Sequence, residues 1–179
     1  MLRKCDRGDT LIEVIFATAV LALIIVIALS IMNKGTLQTQ RAVEGTFVRQ
    51  EIDSQTEMLR FARDSYVNKD TGADTLWNSI LAKRVGSVMS FDSIKTSGCV
   101  PSGAGPFYLQ TTGTSLSVQT SFSAPVTYAA AGKGIWIEAT PIAPNAGYVD
   151  FYLYACWDSP VGTDKATSGT IVRLYAPAP

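Results

Sequence analysis

The chain has 179 residues, 47% hydrophobic and 17% charged, with 15 Lys and Arg against 15 Asp and Glu, three cysteines and no histidine. That length predicts one domain, or one small domain with an accessory segment. Without histidine there is no Ser-His-Asp or Cys-His nucleophile and no His-ligated zinc, so catalysis is disfavoured, and a net charge of zero gives no overall footprint for nucleic acid.

The zero is unevenly spread. Residues 1–8 hold Arg3, Lys4 and Arg7 against Asp6, a net +2, which leaves the other 171 residues at −2. Val14 to Met32 is a run of 19 residues with no charge, and as a helix it reaches about 28 Å, the depth of a bilayer core. A buried core helix would need apolar cover on every side, which the rest of this chain is too small to supply easily. The run also exceeds the apolar stretch of about 7 to 15 residues in a secretory signal peptide, and Ala28-Leu29-Ser30 is a weak cleavage site, so the segment is expected to be retained. Basic residues crowd the N-terminal flank, while Lys34 and Arg41 are thinly spread on the other. This predicts a cytoplasmic N-terminus and an external C-terminal bulk. A disulfide is then chemically allowed for Cys99 and Cys156, whereas Cys5 lies on the reducing side.

Directly before the apolar run stands Gly8-Asp9-Thr10-Leu11-Ile12-Glu13. A carboxylate at the bilayer edge costs on the order of a few kcal/mol and needs a partner, unless it merely marks the headgroup level. The basic leader, the glycine, Thr-Leu-Ile-Glu-Val and the continuous apolar helix together resemble the class III signal of the type IV pilin and pseudopilin superfamily, whose pattern is G-F-T-L-I-E. The resemblance is close over residues 3–32. It implies that prepilin peptidase cuts between Gly8 and Asp9 and N-methylates the new amine of Asp9. It also implies that Thr10, Leu11, Ile12 and Glu13 form the assembly segment, in which Glu13 meets the amino terminus of a neighbouring subunit and the two charges neutralise in an apolar helical bundle. The implied partners are other pilin subunits, the inner-membrane assembly platform and the lipid bilayer. Asp9 replaces the usual phenylalanine. That departure fits a minor pilin or pseudopilin, of a type IV pilus or a type II secretion-like filament, better than a major subunit. The competing reading is a signal-anchored extracytoplasmic binding module that keeps residues 1–8 and never polymerises.

Residues 33–66 read as an amphipathic continuation of the same helix. Val48, Ile52, Leu59, Ala62 and Tyr66 recur on one face, which should pack on the protein's own head. Gly35 and Gly45 are expected weak points, each costing up to about 1 kcal/mol relative to alanine. In the connecting region 67–98, Asp64 to Asp74 reads as a loop. Asp74 to Val85 reads as a short helix capped at Asp74 or Thr75, with Trp77, Leu81 and Val85 inward.

Composition shifts at Cys99: residues 33–98 contain 17 charges, whereas 99–179 contain 7 and most of the Pro, Gly, Ser and Thr. Alternation over Leu116 to Phe122, Ile135 to Ala139, Val149 to Trp157 and Val172 to Leu174 predicts four strands. Turns at Pro141 to Gly147 and Asp158 to Gly169 would join them as an antiparallel meander. The expected class is α+β: a long N-terminal helix, transmembrane over 9–32 and amphipathic over 33–66, packed on a C-terminal antiparallel sheet head at 99–179, the lollipop that the resemblance implies.

Many pilins tie the C-terminal region to the body with one disulfide. Here that would be Cys99–Cys156, contributing about 4 kcal/mol in the chain-entropy model, against two unpaired buried thiols. Asp150, Asp158 and Asp164 read as turn residues rather than a calcium set, so no metal or cofactor is expected. Tyr148, Tyr152 and Tyr154 share a strand face with Asp150. They form a candidate patch for a ligand or a neighbouring subunit, or else the cover for a second layer of loops. Three basic residues against four acids in 99–179 argue against direct nucleic acid binding.

Overall fold

The computed structural model describes residues 9–125, 128–140, 147–159 and 165–175, with side chains from Leu11 onward. The leader with Gly8 and Cys5, residues 141–146 of the turn expected over 141–147, and Asp164 lie outside the described residues. The chain divides into two compact units, Met1–Ala42 and Val43–Pro179.

Helix α1 is Asp9–Asn68. It is free of proline, and the glycines at 35 and 45 do not interrupt it. Its threonines cap carbonyls of their own helix: Thr18 donates to the carbonyls of Val14 and Ile15 at 2.9 Å, and Thr36 to that of Met32 at 3.0 Å. The helix runs past Asp64, where a loop was expected, and closes on Lys69 at φ 59°. The Asp70 N–H donates to the Ser65 carbonyl (3.0 Å) and the Lys69 N–H to that of Tyr66 (3.2 Å), the two bonds of a Schellman cap.

Helix α2, Ala73–Leu81, starts after Gly72 at φ 82° with no side-chain cap, so neither Asp74 nor Thr75 caps it. It also stops four residues before Val85, because the Val85 N–H donates to the Ala139 carbonyl (2.8 Å) instead of continuing the helix. A further helix, α3, Phe91–Thr96, was not expected; the Ser90 hydroxyl caps it by accepting the Ser93 N–H.

Six strands form two sheets among the described residues. β1 (Tyr108–Thr112) and β2 (Ser115–Gln119) make a separate antiparallel hairpin. Gly113, at φ 64°, occupies the first position of its two-residue turn, where a mirror-image hairpin turn needs positive φ. The strand expected over 116–122 therefore ends at Gln119 and belongs to this hairpin. The second sheet has the order β3-β4-β5-β6, with β3 Ala130–Ala131, β4 Gly134–Ala139, β5 Tyr148–Asp158 and β6 Lys165–Tyr175. β4, β5 and β6 form the expected antiparallel meander, and β3 pairs parallel to β4. The turn expected over 158–169 is shorter than that, since Lys165 already pairs with Asp158 in register and by a 2.7 Å ion pair.

In the second unit, Val48, Ile52, Leu59 and Ala62 of α1 are at most 4% exposed and share a core with Trp77, Ile135, Ile137, Phe151 and Leu153. This is the stripe read from the sequence, packed on one sheet face. Trp77 lies between Tyr66 and Phe151, with ring centroids 5.9 and 6.1 Å away. A second, smaller core covers the opposite face: Ile94, Cys99, Trp136, Tyr154 and Cys156. All six residues of β4 are consequently buried, not the alternate three.

Candidate functional site

Two places carry chemistry, one in each unit. In the first, α1 presents Leu11 and Ile12 outward, and every large apolar residue from Val14 to Met32 is 49–70% exposed. The helix is long and apolar enough to cross a membrane, with a mean hydropathy of 3.1 over its most apolar window and none of that window buried. Glu13 is exposed at its head. No Lys or Arg occurs between Thr10 and Asn33, and Lys34 is 21 residues further on, about 32 Å along a helix. No lysine or arginine between Thr10 and Asn33 therefore stands beside the Glu13 carboxylate. Asp9 and Thr10 are helical; Gly8 lies outside the described residues.

In the second unit, Cys99 and Cys156 are bonded, across a sequence separation of 57. The bridge fastens the end of the α3 segment to β5 at a buried point. A polar clamp holds the other end. The Met89 N–H donates to the Glu138 carboxylate (2.8 Å), the Trp136 indole N–H donates to the same carboxylate (3.2 Å), and the Tyr154 hydroxyl donates to the Met89 carbonyl (2.8 Å). Glu138 is 1% exposed. Burial pushes its carboxyl above the usual carboxylate range, against the pull of the Met89 and Trp136 donors. The Tyr154 hydroxyl is pushed up to about 12, first by burial and then by the Glu138 charge.

The three candidate tyrosines therefore do not form one open patch. Tyr154 is 5% exposed and belongs to the second core, with Tyr152 stacked on it at 6.4 Å. Tyr148 is about 13 Å from Tyr152 along the strand, with the Arg173 guanidinium 4.1 Å from its ring centroid. Arg173 also bonds both oxygens of Asp150 (2.7 and 2.8 Å), holding that carboxyl below its ordinary range. Asp150 and Asp158 are each engaged by a cation, and no group of three or more metal-ligating side chains occurs among the described residues.

Two residues that sequence reasoning passed over tie α1 to the head. Gln55 is fully buried; its amide donates to the Leu109 carbonyl and accepts the Leu109 N–H, both at 2.9 Å, so one side chain pairs with β1 as a strand would. Glu44 accepts from the Trp157 indole (3.2 Å) and the Ser159 hydroxyl (3.0 Å). A buried amide within an apolar stripe was the available signal for Gln55; Glu44 offered none. Comparison with protein-family models, with curated proteins and with solved structures finds no match to this chain.

Proposed function

We propose that the protein is a minor pilin or pseudopilin, a subunit of a type IV pilus or a type II secretion-like filament. In this reading prepilin peptidase removes residues 1–8 and methylates the amine of Asp9. The subunit waits as a single-pass protein of the cytoplasmic membrane, N-terminus inside and head outside. It then enters an extracellular filament through its apolar helix, using the assembly platform and neighbouring pilins as partners.

One observation carries the reading: Glu13 stands near the start of a helix whose next 19 residues are uncharged, and no lysine or arginine of that helix lies near it. A carboxylate so placed is costly until a positive group arrives. At about 4 Å and an effective dielectric of about 20, such a pair gains about 4 kcal/mol, comparable with the cost of placing the acid there. A neighbour's amine adds this attraction only when the two helices dock in the axial position that brings it to Glu13. The α+β head with its single disulfide is the cargo such a helix would carry.

Glu13→Ala should leave membrane insertion intact and lower recovery in sheared filaments at least about tenfold. Unchanged recovery would contradict the reading.

A further inference from the structure

The segment between Val85 and Cys99 is fastened to the rest of the head at its two ends. At one end the Val85 N–H meets the Ala139 carbonyl (2.8 Å), and Met89 is held by the Glu138 carboxylate and the Tyr154 hydroxyl. At the other, Cys99 is bonded to Cys156. Between them α3 has six residues, too few to persist as a helix without support. From Gly86 to Gly98 only Ile94 is buried, and the exposed Phe91 rests edge-on against the Tyr154 ring at 5.6 Å.

What this segment covers is separate from the main core. Ile94 and Cys99 pack with Trp136, Tyr154 and Cys156 on one sheet face. The core on the other face, around Leu59, Trp77, Ile137 and Phe151, contains no residue from 82–99. Lifting the segment would therefore uncover one face and leave the other packed. The backbone at the bonded end also favours release. Gly98 and Cys99 follow one another at φ 75° and 63°, and the second angle is costly for a residue with a side chain, persisting where the surroundings hold it. The bond to Cys156 supplies that hold.

We infer that residues 86–98 form a redox-controlled lid, closed while Cys99 and Cys156 are bonded and opening as one unit when a dithiol reduces that bond, which uncovers Trp136 and Tyr154 and leaves the main core folded. Reduction breaks the S–S bond: two electrons and two protons pass from the dithiol to give two thiols, and the dithiol closes to its own cyclic disulfide. Both cysteines are fully buried, so the attacking thiolate reaches sulfur only during a transient lifting of the lid. The two ends are thereby coupled, since the bonds to Met89 govern how soon the disulfide is reached. Where thiols are kept reduced the lid stands open, and it closes in an oxidising compartment.

The test uses the full chain in detergent with Cys5→Ser, its bridge intact, reduced by dithiothreitol, or removed by Cys99→Ala with Cys156→Ala. In both unbridged forms the amides of Met89, Ile94 and Ser97, which bond Glu138, Ser90 and Ser93 when the lid is closed, should exchange through one shared opening. That opening should be at least about tenfold more populated than in the bridged chain and nearly insensitive to low urea. The amides of Phe107 and Ile137 in the main core should exchange more slowly and follow the urea dependence of global unfolding. Acrylamide should quench a tryptophan component that is protected in the bridged chain, and Trp136→Phe should remove it. Tyr154→Phe, which loses the hydroxyl bond to Met89 without changing a charge, should hasten reduction of the bridged chain about fivefold. One urea dependence for lid and main core, equal lid opening with and without the bridge, unfolding of the main core together with the bond, or an unchanged reduction rate in Tyr154→Phe would overturn the inference.

Discussion

The two ends of α1 use the same backbone for opposite surroundings. Between Val14 and Met32 its large apolar side chains point in every direction and stay 49–70% exposed. Between Val48 and Ala62 the apolar residues are fewer, keep to one stripe, and are almost wholly covered by the sheet. A helix apolar all round has no single side to bury and must be surrounded by lipid or by other helices. A helix with one stripe needs only one partner, and here its own chain supplies it. The difference between an anchor and a domain wall is thus written in the angular distribution of apolar residues, since each half is helical without interruption.

Paired substitutions would sharpen that contrast. Leu59→Ala should destabilise the head by about 3 kcal/mol, the usual cost of a cavity at a fully buried leucine, while Leu23→Ala, one of the exposed apolar positions, should leave head unfolding unchanged. Tryptophan fluorescence during denaturation of the detergent-solubilised chain would report both; equal effects would break the comparison. A smaller loss, about 2 kcal/mol, is expected for Gln55→Ala, which strands the buried N–H and C=O of Leu109. Thr39→Ala, at an exposed hydroxyl bonded within its own helix, should be nearly silent in the same assay.

A further effect concerns pH. Because the Glu138 carboxyl is raised in the folded state, the folded protein holds more protons than the unfolded chain between the two values. Its contribution is full below the unfolded value and is lost as pH rises through the folded one. Glu138→Gln should therefore flatten a decline in stability with rising pH above about 4.5. An identical pH profile in the two proteins would remove Glu138 as its source.

Much of this was legible because it is local. The uncharged run, Glu13 beside it and the stripe from Val48 are patterns within a few helical turns. The alternation of β5 holds from Val149 to Leu153, beyond which both faces are covered and every residue to Trp157 is buried. What was not legible depends on distant partners. Lys69 ends α1 in a left-handed conformation where glycine is the usual signal. Val85 leaves α2 to meet Ala139, more than fifty residues away in sequence. The first half of β6 resembles a loop in composition, with Thr167, Ser168 and Gly169, and becomes strand only because β5 supplies a ladder. For Tyr154 the sequence left an open patch and a covered face as alternatives. It is covered because α3, six residues long and weakly marked, folds over it. The clamp at Met89 had one sequence clue, an acid in the otherwise apolar Gly134–Ala139 strand.

The central claim is that this helix belongs to a processed filament subunit, and the amino terminus of the chain recovered from membranes tests it most directly. Intact mass and terminal sequencing should find a chain beginning at Asp9 with one added methyl group, and Gly8→Ser should leave residues 1–8 attached. An unsubstituted chain that retains those eight residues, in cells with active prepilin peptidase, would contradict the account.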